Sequence, residues 1–521
     1  MKVYESKQEL NQKILSGVEK LSEAVSTTLG PKGRNVILHQ KDGNPIITKD
    51  GVTVAKFVTL EDPFENAAAQ IIKQASAETN QAAGDGTTTA TVLAHAILSS
   101  AQKHILAGAS PVSLKRGIDR AVEQIVDNLG EVARPVYTKQ EIANVASISA
   151  NNDTVIGNLI ATAIDEVGKD GAITIEEANS VQTSLEVVEG FQVNSGYLSP
   201  MFITDQRRVT MKHTNALVLV TDEAIERVED ILPVLELVAR DGRPLVIVAE
   251  NVEGQALAAL VMNAARGTMK VAAIKAPQYG EERRNILKDL ALATGATFVS
   301  RESNKALASV SLVDLGTAKT VESQKNWTTF VGGAGDYDKI ESRIDSLKEE
   351  MTQTDNLQEC ERIQERITKL ASGVAIIRVG GLTEVEMIER KHRIEDALEA
   401  VKAAQEEGIV GGGGTSLVRA SSSVTLDGNN QDEVSGMEIV LEAVKQPIRQ
   451  MAINAGNSPD IVLAGVLEQE EGVGFDFASG QYVNMIEEGI IDPVKVSRTA
   501  LQNAASAAST LLTTNYAIIE T

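Results

Sequence analysis

Apolar residues recur at helical spacing through most of the first 131 residues. Two short apolar runs, at residues 35–38 and 45–48, interrupt this pattern and flank Asp42-Gly43, a dipeptide that favours tight turns. We therefore predict a mainly helical region that contains one pair of short strands. The helices that the spacing predicts cover residues 11–29, 65–83 and 87–106.

A different pattern begins near residue 170, where short runs of β-branched residues appear. Helical stretches lie between the later runs, which is typical of βαβ units around a buried sheet. This part of the chain is predicted to be a separate α/β domain. The predicted strands cover residues 172–175, 217–220, 245–248 and 271–274, and the predicted helices cover residues 231–240 and 254–266.

The segment at residues 337–370 is highly charged but keeps apolar residues at helical spacing. It predicts two antiparallel amphipathic helices that meet near Thr354-Asp355-Asn356. After Gly380-Gly381 the helical pattern returns and continues to the end of the chain. Because the chain ends as it begins, we expect both ends to form one domain, with the α/β domain inserted between them.

Composition limits the class of protein. A chain of 521 residues is too long for one hydrophobic core, because single cores stop growing at roughly 250–300 residues. With 43% apolar residues the chain can build two or three such cores. A net charge of −23 makes nucleic acid and anionic lipid improbable partners. The single cysteine, Cys360, allows no intramolecular disulfide and suits a reducing compartment.

No targeting or membrane segment is evident in the sequence. The N-terminus runs into charged residues without an apolar signal core, and no run of about 18 apolar residues follows. We expect a cytoplasmic protein. The histidines are scattered without the spacing of metal ligands; they are His39, His95, His104, His213 and His392.

The strongest local motif is Gly84-Asp85-Gly86-Thr87-Thr88-Thr89, which leads directly into an apolar helix. Glycines allow a ligand to approach the backbone, amides at a helix start attract phosphate, and a carboxylate can hold Mg²⁺. The motif suits a nucleoside triphosphate. On these six residues alone, a threonine-rich helix cap is also a reasonable interpretation.

Three other loops are candidates for the same site, each with a plain structural alternative. Residues 28–35 read more readily as a helix end followed by a turn, and residues 48–51 as a hairpin turn. The run Gly411-Gly412-Gly413-Gly414 lies between predicted helical residues on both sides. Each glycine costs about 1 kcal/mol in a helix interior relative to alanine, so a purely structural role is disfavoured there.

The common phosphate-binding motifs are missing. The sequence has no G-x-x-x-x-G-K-[ST] string, and no G-x-G-x-x-G follows a predicted strand. A nucleotide site in this chain is therefore neither of the Walker type nor of the Rossmann type.

Taken together, these loops resemble the group I (GroEL-type) chaperonins in order and spacing, over essentially the whole chain. The strings that carry the resemblance are TLGPKGRNV at residues 28–36, ITKDGV at 47–52, AGDGTTTAT at 83–91, LKRGID at 114–119, VEM at 385–387 and RIEDAL at 393–398.

The resemblance implies a multidomain α and α/β fold. Residues 1–131 and 407–521 would form a mainly helical equatorial ATP-binding domain. Residues 132–188 and 375–406 would form a small α+β intermediate domain, and residues 189–374 an inserted α/β apical domain that binds polypeptides.

The resemblance also implies the roles of the site residues. Asp85 would bind Mg²⁺, with Lys49 and Thr28 near a potassium ion, and Asp396 and Asp50 would be the catalytic carboxylates beside the attacking water. Without the resemblance, Asp396 reads as a solvated helix residue paired with Arg393. The remaining nucleotide-binding residues would be Leu29, Gly30, Pro31, Gly84, Gly86, Thr87, Thr88, Thr89, Gly412, Gly413 and Asp492.

One departure from the family falls at the base-binding end of the site. Where the family usually has asparagine beside adenine, this chain has Asp476, followed by Phe477 in place of a small residue. An aspartate can accept from the adenine amino group but cannot donate. Base recognition is the part of the site that this departure puts in question.

The polypeptide-binding groove is likewise implied by the resemblance, because helical periodicity alone would favour an ordinary core face. The implied partners are non-native polypeptides and a GroES-type lid cochaperonin, in a homo-oligomeric ring of seven subunits. The groove residues would be Tyr197, Met201, Phe202, Leu232, Leu235, Leu257, Val261 and Met262.

Assembly is less well defined than the subunit. Ser458 and Ser195 replace a glutamate and an arginine that join subunits in the family, and the sequence given ends without a Gly-Met-rich tail. A single ring or a labile double ring is therefore an alternative. Two other functions stay open at this point: a phosphotransferase that uses the glycine–threonine loop, and a ring scaffold that does not hydrolyse ATP.

Overall fold

The structure, a computed structural model, describes residues 2–39, 45–168, 172–178, 180–188, 190–300, 306–354, 356–371 and 373–520. The chain forms two compact units. The first consists of residues 1–162 and 381–521, and the second of residues 163–380. Both chain ends thus belong to one unit, with the other inserted between them, as the hydropathy pattern predicts.

The helices carry most of the chain and begin at recognisable caps. Asp50, Asp62 and Thr138 are examples, since each side chain accepts hydrogen bonds from the first turn of the helix that follows it. The helices are α1 Lys7–Ser26, α2 Gly51–Phe57, α3 Pro63–Ala83, α4 Thr87–Leu106, α5 Pro111–Glu131, α6 Lys139–Ser149, α7 Thr154–Val167, α8 Val228–Asp241, α9 Gly254–Arg266, α10 Gly280–Thr294, α11 Tyr337–Gln353, α12 Leu357–Ala371, α13 Glu384–Glu407, α14 Thr415–Ser422, α15 Gln431–Ala443, α16 Gln446–Ala455, α17 Pro459–Glu468 and α18 Val494–Leu512.

The strands form several small sheets and one large one. They are β1 Lys2–Ser6, β2 Val36–Leu38, β3 Ile46–Thr48, β4 Ile173–Glu177, β5 Ser184–Val188, β6 Gly190–Val193, β7 Met211–Val220, β8 Ala224–Ile225, β9 Leu245–Ala249, β10 Asn251–Val252, β11 Val271–Lys275, β12 Gly316–Ser323, β13 Thr328–Gly333, β14 Val374–Val379, β15 Ile409–Gly411, β16 Val473–Asp476, β17 Gln481–Asn484, β18 Ile491–Pro493 and β19 Tyr516–Glu520.

The first unit is a helical assembly around one large core. α4 packs against α1, α3 and α18, and its buried face includes Leu93 and Ile97. The facing side of α18 is rich in alanine, including Ala504 and Ala508, and small side chains let two helices pack closely. The chain ends meet where β1 pairs antiparallel with β19, with Val3 opposite Ile519.

The second unit contains a six-stranded sheet in the order β11-β9-β7-β12-β13-β6. β7, β9 and β11 are parallel and are connected through α8 and α9, while β12, β13 and β6 are antiparallel to their neighbours. The parallel strands are buried on both faces, which explains their continuous runs of Val, Ile, Leu and Ala. A smaller sheet has the order β4-β14-β5.

Several predicted elements are confirmed by the structure. β2 and β3 pair antiparallel, and α4 and α9 have the predicted bounds. α11 and α12 share an apolar cluster formed by Leu347, Ile363 and Ile367, which confirms the charged helical pair. The predicted turn residues Asp42-Gly43 lie outside the described residues.

Several boundaries differ from the prediction: α3, α8 and β7, for example, begin earlier, at Pro63, Val228 and Met211. α1 begins four residues earlier, at Lys7 rather than residue 11, and ends at Ser26 rather than residue 29, because the chain turns into the loop at residues 28–35. The glycine run is not flanked by helix on both sides. A helix ends at Glu407, and the strand β15 carries the chain into the run. The first glycine of the run, Gly411, is therefore the last residue of a strand and not part of a helix.

The division into three domains stays a prediction. α6 and α13, from the predicted intermediate domain, belong to the first unit, whereas β4, β5 and β14 form one sheet in the second. Within the described residues, no helix combines the length and the apolar character needed to cross a lipid bilayer.

Candidate functional site

The glycine–threonine motif forms a tight turn between two helices. α3 ends at Ala83, and α4 begins at Thr87. Gly84 and Gly86 have φ angles of 74° and 90°, in the left-handed region that favours glycine. A side chain at Gly84 would also collide with Glu399 on α13. The turn therefore needs glycine for its conformation and for its close approach to α13.

The start of α4 has the properties of a phosphate-binding site. Its N-cap is Gly86, so no side chain caps the first backbone amides. The hydroxyl oxygen of Thr87 is buried and, within the described residues, has no hydrogen-bond partner. Buried polar atoms are normally paired, so an unpaired hydroxyl beside uncapped helix amides fits a bound anion.

Asp85 lies between the two glycines and is held by two donors. Oδ1 accepts from the backbone amide of Gly86, and Oδ2 accepts from the hydroxyl of Ser149 at 3.2 Å. Burial raises the pKa of Asp85 and the charge of Asp50 raises it further, whereas the two hydrogen bonds lower it. Asp50 and Asp85 are therefore close enough to interact.

The donor set fits Mg²⁺ brought with a nucleotide better than a metal held by protein alone. Among the described residues, no three His, Cys, Asp or Glu side chains group as metal ligands. Mg²⁺ commonly binds one or two carboxylates and takes its other oxygens from phosphate and water. Asp85 beside the start of α4 matches that arrangement.

The loop after α1 lies beside the same turn. Oγ1 of Thr28 is 3.5 Å from Oγ1 of Thr88, and the ammonium of Lys49 donates to the carbonyl of Gly30 at 3.0 Å. Gly30 is left-handed, with a φ of 81°. Burial lowers the pKa of Lys49, and the charge of Arg393 lowers it further. The loop thus places Thr28 and Gly30 beside the turn. Leu29 and Pro31 belong to the same loop.

Asp50 is the N-cap of α2. Its carboxylate accepts from the amides of Val52 and Thr53 at 3.0 and 3.1 Å, and also from the Thr53 hydroxyl. The next residue, Gly51, lies against Thr88, whose hydroxyl a side chain there would strike. The cap therefore fixes the Asp50 carboxylate beside the glycine–threonine turn.

Asp396 lies on α13, the helix that closes over this turn. Glu399, one helical turn after Asp396, is the residue against Gly84. Arg393, one turn before Asp396 on the same helix, forms an ion pair of 3.2 Å with Asp153. Asp396 is half-buried. Because residues three apart share one face of a helix, Asp396 and Glu399 lie on the same face of α13. A catalytic role for Asp396 beside this turn stays a prediction.

The glycine run lies at the other end of the site. Gly413 and Gly414 have φ angles of 63° and 74°, and Gly414 is the N-cap of α14. A Cβ on Gly412 would lie 3.0 Å from Oδ1 of Asp492, so the chain just after β15 approaches this carboxylate closely. Burial raises the pKa of Asp492 to about 7, with a further contribution from the charge of Asp85.

The predicted base contacts have other roles in this structure. The Asp476 carboxylate closes the turn between β16 and β17 by accepting from the amides of Ala478 and Ser479, at 2.8 and 3.1 Å. Phe477 is 3% exposed and packs edge-on against Phe475, with ring centroids 5.1 Å apart. Contact of either residue with a base stays a prediction.

The second unit contains the predicted polypeptide-binding residues. Tyr197 lies before the short 3₁₀ helix Pro200–Phe202, and the others lie on that helix, α8 and α9. Three of the predicted residues are exposed: Met201, Leu232 and Met262. Tyr197, Leu257 and Val261 are half-buried.

Two of the predicted groove residues, Phe202 and Leu235, need correction. They are 2% and 6% exposed and belong to the hydrophobic core. Neither side chain is exposed for contact with a polypeptide in this structure.

Sequence reasoning missed three residues that structure brings to the site. Ser149 contacts Asp85, Glu399 contacts Gly84, and the side chain of Asn454 reaches the loop after α1. None lies in a glycine-rich motif. Helix periodicity does not show which neighbour a residue meets, so no pattern in the sequence indicated Ser149.

The chain is similar to chaperonins in sequence and in fold. Residues 21–521 match the TCP-1/cpn60 chaperonin family. A similar solved structure is that of the chaperonin gp146 from the bacteriophage EL 2 (Pseudomonas aeruginosa), crystallised in the presence of ATP-BeFx. The TM-score is 0.68 at 23% identity, and the alignment covers 100% of this chain and 99% of that chain. At this identity the similarity shows a shared fold.

Proposed function

The chain belongs to the TCP-1/cpn60 chaperonin family, and from this membership we propose that it is an ATP-driven ring chaperonin that binds non-native polypeptides and promotes their folding in an enclosed cavity. The observation that carries the ATP-dependent part is the buried hydroxyl of Thr87 at the uncapped start of α4, which has no hydrogen-bond partner among the residues that the structure describes. That arrangement supports phosphate binding on this chain's own geometry.

In this proposal the first unit binds ATP together with Mg²⁺. Hydrolysis of the ATP phosphoanhydride supplies the free energy for the cycle. The amides at the start of α4 and the hydroxyls of Thr87, Thr88 and Thr89 hold the phosphates. Asp85 binds the Mg²⁺ ion, and Ser149 keeps the carboxylate oriented. Thr28 and Lys49 lie beside a potassium ion. Gly413 and Asp492 contact the nucleoside.

Asp396 and Asp50 act on the attacking water. Asp396 orients the water molecule or accepts a proton from it. Asp50, which is fixed as the cap of α2, supplies a second negative charge that orients the water. Positioning of this kind accounts for most of catalysis in phosphoryl transfer. Membership of the chaperonin family favours water as the acceptor over the small substrate of a phosphotransferase.

In this proposal the segment that carries Asp396 moves to complete the site, with pivots near Pro135, Gly190 and Gly373. Arg134, next to Pro135, exchanges two backbone hydrogen bonds with Ile409, at 2.9 and 2.7 Å. In the second unit, Gly190 packs against Val374, the residue after Gly373. At each point two strands of chain run side by side, so small torsional changes there can swing a whole segment.

Substrate capture is the task of the exposed apolar residues on α8, α9 and the Pro200–Phe202 helix. Flexible methionines such as Met201 and Met262 can adapt to many sequences. Burial of ~400 Å² of apolar surface gives roughly 10 kcal/mol before the costs of ordering both partners, so one groove binds weakly. Several grooves on one ring raise the affinity by ~10²–10⁴-fold. We propose seven subunits and a GroES-type lid.

The test is an ATPase assay on the full-length protein, with and without a chemically denatured protein. A chaperonin hydrolyses ATP in both cases and suppresses aggregation of the denatured protein. Phosphate transfer to a small acceptor would instead support the phosphotransferase. Suppression of aggregation without phosphate release would support a scaffold that does not hydrolyse ATP. Native mass spectrometry of the same sample gives the number of subunits and rings.

A further inference from the structure

The loop after α1 is anchored from behind by a residue far away in the sequence. The side-chain nitrogen of Asn454, on α16, donates to the carbonyl of Ser26 and to the carbonyl of Leu29, both at 2.9 Å. Ser26 is the last residue of α1, and Leu29 precedes Gly30. One amide group therefore bridges the end of the helix and the middle of the loop.

The chemistry of this contact fixes the orientation of the amide. Both partners are carbonyl oxygens, so only the NH₂ end of Asn454 can face them, and its two hydrogens supply two bonds. The oxygen end accepts from the Gln450 side chain, one turn earlier on α16, at 3.0 Å. Both donor hydrogens and one acceptor lone pair of the side chain are thus used, which favours one rotamer.

The anchor determines where the loop meets the rest of the site. The last carbonyls of a helix have no partner within the helix, and a loop that leaves it is free to move unless other groups hold it. Here Asn454 holds one side of the loop, and Lys49 holds the carbonyl of Gly30 on the other. The loop in turn brings Thr28 to within 3.5 Å of Thr88.

We infer that Asn454 is a positioning residue for the nucleotide site: it holds the loop of Thr28 and Gly30 in the conformation that contacts phosphate. This inference rests on the proposed ATP-binding function. Asn454 itself does not contact the reacting atoms. Because the loop binds nucleotide before and during the reaction alike, loss of the anchor should weaken binding rather than slow the chemical step.

The test compares Asn454→Ala and Asn454→Asp with the full-length wild type. Asp has the same shape but places a carboxylate against two carbonyl oxygens. Both variants should raise the KM for ATP about tenfold, which is the effect expected for two lost hydrogen bonds. The increase should be larger for Asp than for Ala. The kcat should stay within about threefold of the wild-type value. A protein that merely loses folded molecules would lose kcat at unchanged KM.

The matched control is Asn128→Ala. Asn128 also donates its amide to a backbone carbonyl, that of Ala420 at 2.9 Å, but away from the loop. Its KM should stay at the wild-type value. If the wild type binds ATP but both Asn454 variants have the wild-type KM, the role of Asn454 is overturned and the proposed function is not.

A second measurement does not depend on nucleotide. Hydrogen exchange of the amides at residues 28–34, without ATP, should be about tenfold faster in Asn454→Ala than in the wild type, while exchange in α4 is unchanged. Unchanged exchange in the loop would overturn the inference whatever the wild type binds. A wild type without any ATP binding would instead contradict the proposed function.

Discussion

The hydroxyl of Ser149, the last residue of α6, donates a hydrogen bond of 3.2 Å to Oδ2 of Asp85. The two residues are 64 positions apart in the sequence. The bond connects α6 with the carboxylate that we propose as the Mg²⁺ ligand. The other carboxylate oxygen, Oδ1, accepts from the backbone amide of Gly86.

Replacement of Ser149 by alanine should weaken Mg²⁺ binding without abolishing it. Residues that orient a metal ligand typically contribute 10–100-fold to metal affinity, so we expect the Mg²⁺ concentration for half-maximal ATPase activity to rise about tenfold. The rate at saturating Mg²⁺ should be nearly restored. Ser147→Ala is the control, because the Ser147 hydroxyl donates to the carbonyl of Ala143 within α6, at 2.6 Å. An equal response of both variants would contradict this role.

Asp396→Asn should separate ATP binding from hydrolysis. The asparagine keeps the shape of the side chain but cannot take up a proton, so we expect kcat to fall by about 10²–10⁴-fold. The Kd for ATP, measured by isothermal titration calorimetry, should change little. Glu384→Gln, at the exposed start of the same helix, is the control. Phosphate release by Asp396→Asn at the control rate would remove Asp396 from the catalytic site.

How much of the site could be predicted depends on the distance over which each residue acts. The glycine–threonine turn and the loop around Gly30 could be predicted, because their left-handed glycines and uncapped amides depend only on residues adjacent in the sequence. Asn454 is 428 positions from Ser26, and no local pattern links them. Such contacts arise only when α16 packs beside the end of α1.

The fold was predictable to a similar limit. Periodicity of 3.6 residues located α4 and α9, and buried β-branched runs located β9 and β11, because each pattern reflects the local geometry of its element. The same periodicity could not distinguish Leu232 from Leu235, which are 44% and 6% exposed on one helix. Which apolar position faces the core is decided by the sheet beneath α8.

This difference in exposure predicts opposite effects for two substitutions on α8. Leu232→Ser should leave the free energy of unfolding within about 0.5 kcal/mol of wild type, because the side chain is exposed. It should nevertheless weaken capture of a denatured protein, measured by light scattering. Leu235→Ala should lower the free energy of unfolding by about 2–5 kcal/mol, because it leaves a cavity in the core. If Leu232→Ser retained full capture, the groove would lie elsewhere.

His213 predicts a pH dependence for the second unit. It lies on β7, is 7% exposed, and its Nε2 has no partner within the described part of the chain. Burial lowers the pKa of His213 to about 4, and the charge of Lys270 acts in the same direction. The native state therefore excludes a proton that the unfolded chain, with a histidine pKa of about 6.5, binds readily.

As the pH falls from about 6.5 to about 4, the unfolded state gains this proton first, so the free energy of unfolding should decrease by about 3 kcal/mol in total. Above pH 7 both states are neutral, and the contribution is constant. The measurement is hydrogen exchange of β7 and β9 amides, corrected for intrinsic rates, in wild type and His213→Gln. The glutamine variant cannot titrate, so its curve should lack this component. Parallel pH curves would show that the pKa of His213 is the same in the native sheet as in the unfolded chain.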